Sequence, residues 1–260
     1  MKKKDATNKK NPPVTGKPQP KAVKNFAPNP KLALVAAFAC VLLYANTFHN
    51  GYVLDDKGII QDNQYVQQGL KGIGGIFGSD VWHFQNINLG YYRPLSLVTF
   101  AVEHQFFGNN PYISHIINVL LFALTGFLVC LLLMHIFRQY SPFFSLAIAL
   151  LFVAHPIHTE VVANIKSRDE ILSFLNLIAA LYFLLKAYSH KVDYKMLAFS
   201  ALFFYLALLS KETAFAGIFI APLVIYFATS KNFINSLFVL SVFAVVFGVF
   251  QLQKYLALGT

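Results

Sequence analysis

The chain alternates between long apolar blocks and short polar turns. Seven blocks stand out, at 32–48, 112–136, 142–157, 171–188, 196–210, 213–229 and 234–252. A helix needs ~20 apolar residues at 1.5 Å rise to cross the hydrocarbon core, and blocks near that length read as membrane spans. The third and fifth are short. The pattern predicts an all-α, polytopic membrane bundle of about seven transmembrane helices. Local signals agree with the boundaries. Pro111 sits where a first-turn proline opens the second span. Ser167 with Glu170 three residues on reads as a capping box ahead of the fourth.

Between the first two spans lies one long loop, 49–110. Within it, Leu95 to Phe107 is apolar and helix-compatible but only 13 residues long. That is too short to cross, so an interfacial or re-entrant helix is expected. Gly69 to Gly78 holds five glycines and reads as a flexible turn region. It lacks the strand and the Gly-Lys-Ser/Thr ending of a phosphate-binding P-loop.

Composition supports the membrane reading. Apolar residues make up 57% and charged residues 12%, with a mean hydropathy of +0.55; a soluble domain carries about a quarter charged residues. The net charge of +10 is concentrated, with nine of the 21 basic residues between Lys2 and Lys31. That distribution argues against a nucleic-acid partner. The tail 1–31 is expected to be a disordered, basic, cytoplasmic segment, since it holds too little apolar surface to offset its ordering entropy. It either touches anionic lipid heads or acts only as a solvated topology signal. No small-x-small cleavage site follows the first block, so a retained signal anchor is expected. The domain proper then runs from 32 to 260. With the N-terminus inside, 14 Lys and Arg fall on the cytoplasmic side and seven on the far side, as the positive-inside rule asks. Nine of the 11 acids fall on the far side, which points to a carboxylate-bearing external face.

The external ionisable residues come in three groups. The first holds Asp55, Asp56, Arg93, Glu103 and His104. The second runs His155-Pro156-Ile157-His158-Thr159-Glu160 and on to Lys166, Arg168, Asp169 and Glu170. The third is Ser210-Lys211-Glu212. Charges near membrane depth cost ~2.5–3.5 kcal/mol each on insertion scales, so they tend to be paired or functional. Three groups of mixed sign on one side predict one polar cavity. The Asp55-Asp56 doublet directly follows an aromatic membrane-edge motif and is the first candidate for chemistry. An acidic pair can hold a divalent metal or serve as a general base; the base is the expectation, a metal at Asp55 and Asp56 is the less favoured alternative, and no other cofactor is expected. Arg93 either clamps a phosphate with its planar fork or snorkels beside its Tyr neighbours. His155, His158 and Glu160 lack His-Glu-x-x-His spacing, and Pro156 biases His155 away from helix. They read as a helix-start motif whose imidazoles bond substrate or nearby loops. Lys211 and Glu212 either pair with each other, or Lys211 meets a lipid phosphate. His115 and Asn118 share a helix face and predict hydrogen bonding inside the bundle. Cys40 and Cys130 lie in apolar blocks and read as small packing residues.

Taken together, these motifs resemble the membrane region of the GT-C glycosyltransferases, most closely the transmembrane-and-tetratricopeptide-repeat (TMTC-like) protein O-mannosyltransferase family. The matching residues are Phe48 through Asp56 (FHNGYVLDD), Tyr92-Arg93-Pro94-Leu95, His115 with Asn118, His155 through Glu160 (HPIHTE) with Arg168 and Glu170, and Ser210-Lys211-Glu212. Each piece alone is weak, and their order on one membrane face makes the combination specific. The resemblance runs from about residue 32 to 229. It implies a polyprenyl-phosphate sugar donor carrying mannose or a similar hexose, a protein Ser/Thr acceptor, and an inverting transfer. Carried over, Asp55 is the general base and Asp56 orients it or binds the acceptor, while Arg93, Lys211 and Arg168 hold the donor phosphate. His155, His158, Glu160 and Glu212 would line the substrate site. Relatives of this kind carry further spans and helical repeats, and no 34-residue repeat occurs here, so the chain is expected to be incomplete at its C-terminus.

The competing reading is non-enzymatic: a transporter, a structural membrane subunit, or an inactive fragment of a larger transferase. Transporters keep ionisable groups near the bilayer midplane and often show paired repeats, whereas these charges sit at span ends. Shortness and the absence of paired external cysteines lean towards a bacterial inner membrane, with the endoplasmic reticulum as the alternative.

Overall fold

A computed structural model describes residues 25–189, 191–229 and 233–259. The basic tail expected to be disordered falls outside them, apart from its last few residues. The described residues form eleven α-helices joined by short 3-10 and π turns, without a strand. They are α1 (Pro30–Tyr44), α2 (Gln64–Gln67), α3 (Ile73–Phe77), α4 (Pro94–Phe107), α5 (Pro111–Ile136), α6 (Pro142–Val153), α7 (His158–Ala163), α8 (Arg168–Ala187), α9 (Tyr194–Ser210), α10 (Gly217–Ala228) and α11 (Phe233–Leu258).

Each of the seven apolar blocks is helical. Among the described residues, four helical stretches are long and apolar enough to cross a membrane: Pro30–His49, Pro111–Ile136, Ile165–Ala187 and Phe233–Leu258. The remaining three blocks form shorter helices or helical runs, Pro142–Val153, Tyr194–Ser210 and Glu212–Ala228. Proline opens α1, α4, α5 and α6, where its missing N–H leaves no bond unmade. The third block ends early because the chain turns at Ala154–Ile157, ahead of α7.

Close approach depends on small residues. Ala33, Ala36 and Cys40 of α1 are fully buried. A Cβ at Gly126 of α5 would sit 2.8 Å from Cys40 Sγ and 3.0 Å from a Val153 methyl. Without side-chain bulk the three helices meet closely, the usual device of helix contacts in lipid. Around α5, α8, α9 and α11 the main core is aromatic and aliphatic; Phe204 stacks on Phe243 at 4.4 Å.

The long loop is an ordered cap with a core of its own. Ile59, Ile60, Val66, Ile76, Leu97, Phe100 and Ile165 bury together. The glycine-rich stretch is not the flexible turn expected. Gly69–Gly72 forms a 3-10 turn and Ile73–Phe77 a short helix. A Cβ at Gly72 would lie 1.9 Å from the Tyr65 carbonyl oxygen, so glycine is what lets these turns nest against Tyr65. Buried Asp80 closes the cap by accepting from the N–H groups of Trp82 at 2.7 Å and Tyr91 at 2.6 Å.

The two ends of the bundle differ. At one end, Phe26 N–H donates to Arg138 O at 2.8 Å and Asp193 caps α9. The cap, the 155–170 segment and the turn at 211–212 all meet at the other.

Candidate functional site

Five consecutive residues form the junction of the charged end. Lys166 through Glu170 turn from a 3-10 element into the first residues of α8. Four of them each tie down a different part of the chain.

Arg168 is wholly buried. Its Nη1 lies 2.7 Å from Glu103 Oε2 of α4. Its Nε donates to Asn118 Oδ1 at 2.7 Å and its Nη2 to Ser114 O at 3.1 Å, both on α5. The guanidinium lies 4.1 Å over the Phe100 ring. Ser114 Oγ donates to the other oxygen of Glu103 and lies 3.4 Å from the Tyr52 hydroxyl. A buried arginine survives only with such complete pairing. Asn118 also donates to the carbonyls of Asn164 and Ile165, so the expected bundle-interior role of this residue is what the bonds describe. His115, one turn before it, is buried.

Asp169 is the second tie. Its Oδ2 accepts from Arg93 Nη1 at 2.7 Å, and Arg93 Nε donates to Glu212 Oε2 at 3.1 Å. The other oxygen of Glu212 accepts from Tyr92 N–H at 2.9 Å. Burial opposes the charge on Arg93, but the two carboxylates outweigh it and raise its pKa. The guanidinium also lies 5.0 Å over the Tyr91 ring. Arg93 is thus a two-carboxylate bridge between Asp169 and Glu212.

Glu170 and Lys211 form the third, a direct ion pair. This corrects two expectations. Lys211 pairs with Glu170 rather than with its neighbour Glu212, whose carboxylate is taken by Arg93 and the Tyr92 N–H. The capping box does not form either. Ser167 holds the cap position without a side-chain bond, and Asp169 Oδ1 accepts from Glu170 N–H at 2.8 Å instead.

Lys166 supplies the fourth. Its N–H donates to Asp56 Oδ1 at 2.7 Å, while Asp56 Oδ2 accepts from Val53 N–H at 2.9 Å. Asp56 is therefore buried and saturated by two backbone donors. Asp55 is exposed and, among the described residues, makes no hydrogen bond or ion pair. Just before the doublet, Leu54 has a φ of +46°, unusual for a residue with a side chain.

The imidazoles take separate positions. His158 packs on Phe152 at 4.5 Å and Phe122 at 5.2 Å. Burial, with help from His155, holds its pKa below the ordinary value. His155 is exposed and accepts from Ile157 N–H at 3.2 Å through Nδ1. Glu160 points to the surface of α7. Among the described residues no three His, Cys, Asp or Glu side chains gather closely enough to hold a metal.

Two cavities flank Glu170. One, of about 210 Å³, is lined by Phe122, Phe152, His158, Glu170 and Phe174. The other, of about 150 Å³, shares Glu170 and Phe174 and adds Ser173, Thr213 and Ala214. A further cavity, about 500 Å³ between α10 and α11, is lined by no Asp, Glu, Lys, Arg or His and lies apart from the chemistry.

No protein-family model matches the chain, and neither does any solved structure. Curated relatives do. Human "Protein O-mannosyl-transferase TMTC1" is 36% identical over 163 residues, covering 60% of this chain and 18% of that protein. Mouse TMTC4 is 30% identical over 58% of this chain and 22% of its own. Fruit-fly Tmtc1 is 30% identical over 195 residues, 74% of this chain and 22% of its own.

This chain is similar to the TMTC protein O-mannosyl-transferases. It spans about a fifth of the length of the TMTC proteins it matches. They come from human, mouse, fruit fly and frog, so the preference for a bacterial inner membrane finds no support among them.

Sequence reasoning noted Glu103 and Asp169 but gave them no role. The available signal was helical spacing: Ser96, Phe100 and Glu103 share the buried face of α4. Ser114 carried no signal at all, since its part is played largely by a backbone carbonyl.

Proposed function

We propose that this chain forms the membrane part of a glycosyltransferase. It moves mannose or a similar hexose from a polyprenyl-phosphate donor to a protein Ser or Thr hydroxyl at the external membrane face. The observation that carries the reading is the split doublet. Asp55 presents an unpartnered carboxylate at the surface, beside an Asp56 locked by two backbone N–H groups. Similarity to proteins named O-mannosyl-transferases supports the same reaction class.

In this reading the seven apolar helices form a GT-C-like bundle and α4 lies along the interface. Asp55 takes the proton of the acceptor hydroxyl. The oxygen attacks the anomeric carbon as its bond to the phosphate breaks, inverting the centre, and polyprenyl phosphate leaves. Asp56 fixes the loop that carries the base. Lys211 and Arg93 are the cations for the charge developing on the leaving phosphate. Arg168, enclosed and fully bonded, positions α4, α5 and α8 rather than touching the donor. His155, His158, Glu160 and Glu212 border the substrate.

Transfer from a polyprenyl-phosphate-linked hexose to a Ser/Thr peptide, measured in membranes carrying the chain, tests this. Asp55→Asn is expected to lower turnover about a hundredfold or more. Undiminished turnover in both Asp55→Asn and Asp56→Asn removes the proposed base.

A further inference from the structure

Away from the charged end, α10 and α11 enclose the cavity of about 500 Å³. Four rings stand around it, those of Phe219, Tyr226 and Phe227 on α10 and Phe233 on α11. Each is between 50% and 78% exposed. Lipid tails are as apolar as these side chains, so the cavity opens sideways into the bilayer. One group does not suit an apolar wall. Ser236 is 5% exposed, and its Oγ has no hydrogen-bond partner among the described residues. A helical hydroxyl ordinarily donates to a carbonyl one turn back. Thr125 and Ser210 do so, to Leu121 O and Leu206 O. Ser236 does not, and a buried hydroxyl without a partner is costly.

The wall is also graded along its length. Tyr226 lies in the last turn of α10 and Ser236 in the first turn of α11, both at the end of the bundle away from the cap. Phe219 and Leu240 lie further in. From Phe219 to Phe227 the α10 wall runs about 12 Å at 1.5 Å rise per residue. The sequence Leu223-x2-Tyr226-x4-Lys231 fits the Leu/Val–Tyr–Lys/Arg spacing of short sterol-contact motifs. That spacing alone is weak; it gains weight because Leu223 and Tyr226 both line the cavity. Lys231 lies outside the described residues.

We propose that the cavity between α10 and α11 is a binding site for a membrane sterol, a rigid fused-ring lipid with one hydroxyl. The ring system lies against the aromatic side chains, its hydroxyl bonds Ser236 Oγ, and its hydrocarbon tail points towards Phe219 and Leu240. A volume of this size is that of a site for one small ligand. A flexible acyl chain would cover the same apolar wall but brings no hydrogen-bonding group to Ser236. The proposal is independent of the transferase reading, since it uses none of the residues at the charged end.

The test is photolabelling of the purified chain in phosphatidylcholine nanodiscs. The probe is a diazirine-bearing cholesterol that keeps its hydroxyl, with the labelled positions mapped by mass spectrometry. Unlabelled cholesterol and cholestane, which lacks the hydroxyl, serve as competitors. Saturable labelling between 219 and 240 is expected, displaced by cholesterol more readily than by cholestane. Phe38 and Leu42 of α1, equally exposed to lipid, should label without saturation. Ser236→Ala should weaken cholesterol by about fivefold, as for loss of one neutral hydrogen bond, and leave cholestane unchanged. Leu223→Trp, at a half-exposed position, should fill the cavity and abolish saturable labelling, with an unchanged melting temperature in sterol-free discs. If that variant does not fold, Ser236→Ala decides alone. Labelling of α1 and the cavity alike, equal competition by cholestane, or wild-type affinity in Ser236→Ala overturns the site. So does an unlabelled cavity in a chain that crosslinks to a second copy through α10 and α11.

Discussion

Arg168 Nη1 lies 2.7 Å from Glu103 Oε2, and both side chains are closed off from solvent. Three elements meet on this pair: α4 through Glu103, α8 through Arg168, and α5 through Asn118 and Ser114. Breaking a buried pair strands the remaining charge. Glu103→Gln is expected to destabilise the chain by about 3–5 kcal/mol. The double replacement Glu103→Leu with Arg168→Met should be less damaging than the two single losses added together, since no charge is left behind. Thermal unfolding of the four proteins in detergent decides it, and simple additivity would refute the account.

The Asp doublet separates stability from chemistry. Asp56→Asn keeps one acceptor oxygen and loses the other, placing an amide N–H₂ against a backbone donor. A loss of about 1–3 kcal/mol is expected. Asp55→Asn has no bond to lose and should leave the melting temperature unchanged while lowering transfer about a hundredfold or more. The pair of melting curves and transfer rates is the measurement. A stability loss at Asp55 matching that at Asp56 would mean that the two residues do the same job.

How much of this was legible in the sequence varies with the range of the interaction that decides it. The seven apolar blocks were readable because in lipid each backbone must satisfy itself within its own segment, and helix is the local answer. The meeting of three charged segments at one end followed from the alternation of those helices. The pairings did not follow. Lys211 chose Glu170, 41 positions away, over its neighbour Glu212, whose carboxylate is held by Tyr92 and Arg93 from 120 and 119 positions away. The glycine run looked flexible because its order is imposed from outside by Tyr65. The different fates of Asp55 and Asp56 were hidden too, since the donors that hold Asp56 include Lys166 N–H, 110 positions away.

Gly126 permits α1, α5 and α6 to touch. Gly126→Ala gains about 1 kcal/mol in helix propensity, yet its new Cβ would stand 2.8 Å from Cys40 Sγ. Overpacking of this kind costs about 1–3 kcal/mol, so a net loss is expected. Cys40→Ala removes the clashing sulfur. Combined with Gly126→Ala it should restore most of the lost stability, a strong favourable coupling in a double-mutant cycle. Absence of coupling would mean that the helices separate freely and that the close approach is not required.

His158 supplies a pH dependence with a definite sign. Its folded pKa lies below the ordinary value of 6.5, first because burial against Phe152 and Phe122 disfavours the charged ring and second because His155 repels it. The unfolded chain therefore binds the proton more readily than the folded one. Stability is complete above about pH 6.5 and declines as pH falls below it, until the folded ring also takes the proton. Melting temperature measured between pH 7.5 and 5 should drop across that window in the wild type. His158→Phe keeps the ring stack and removes the titrating group, so its curve should be flatter over the same range. An identical slope in both proteins would assign the acid sensitivity to another group.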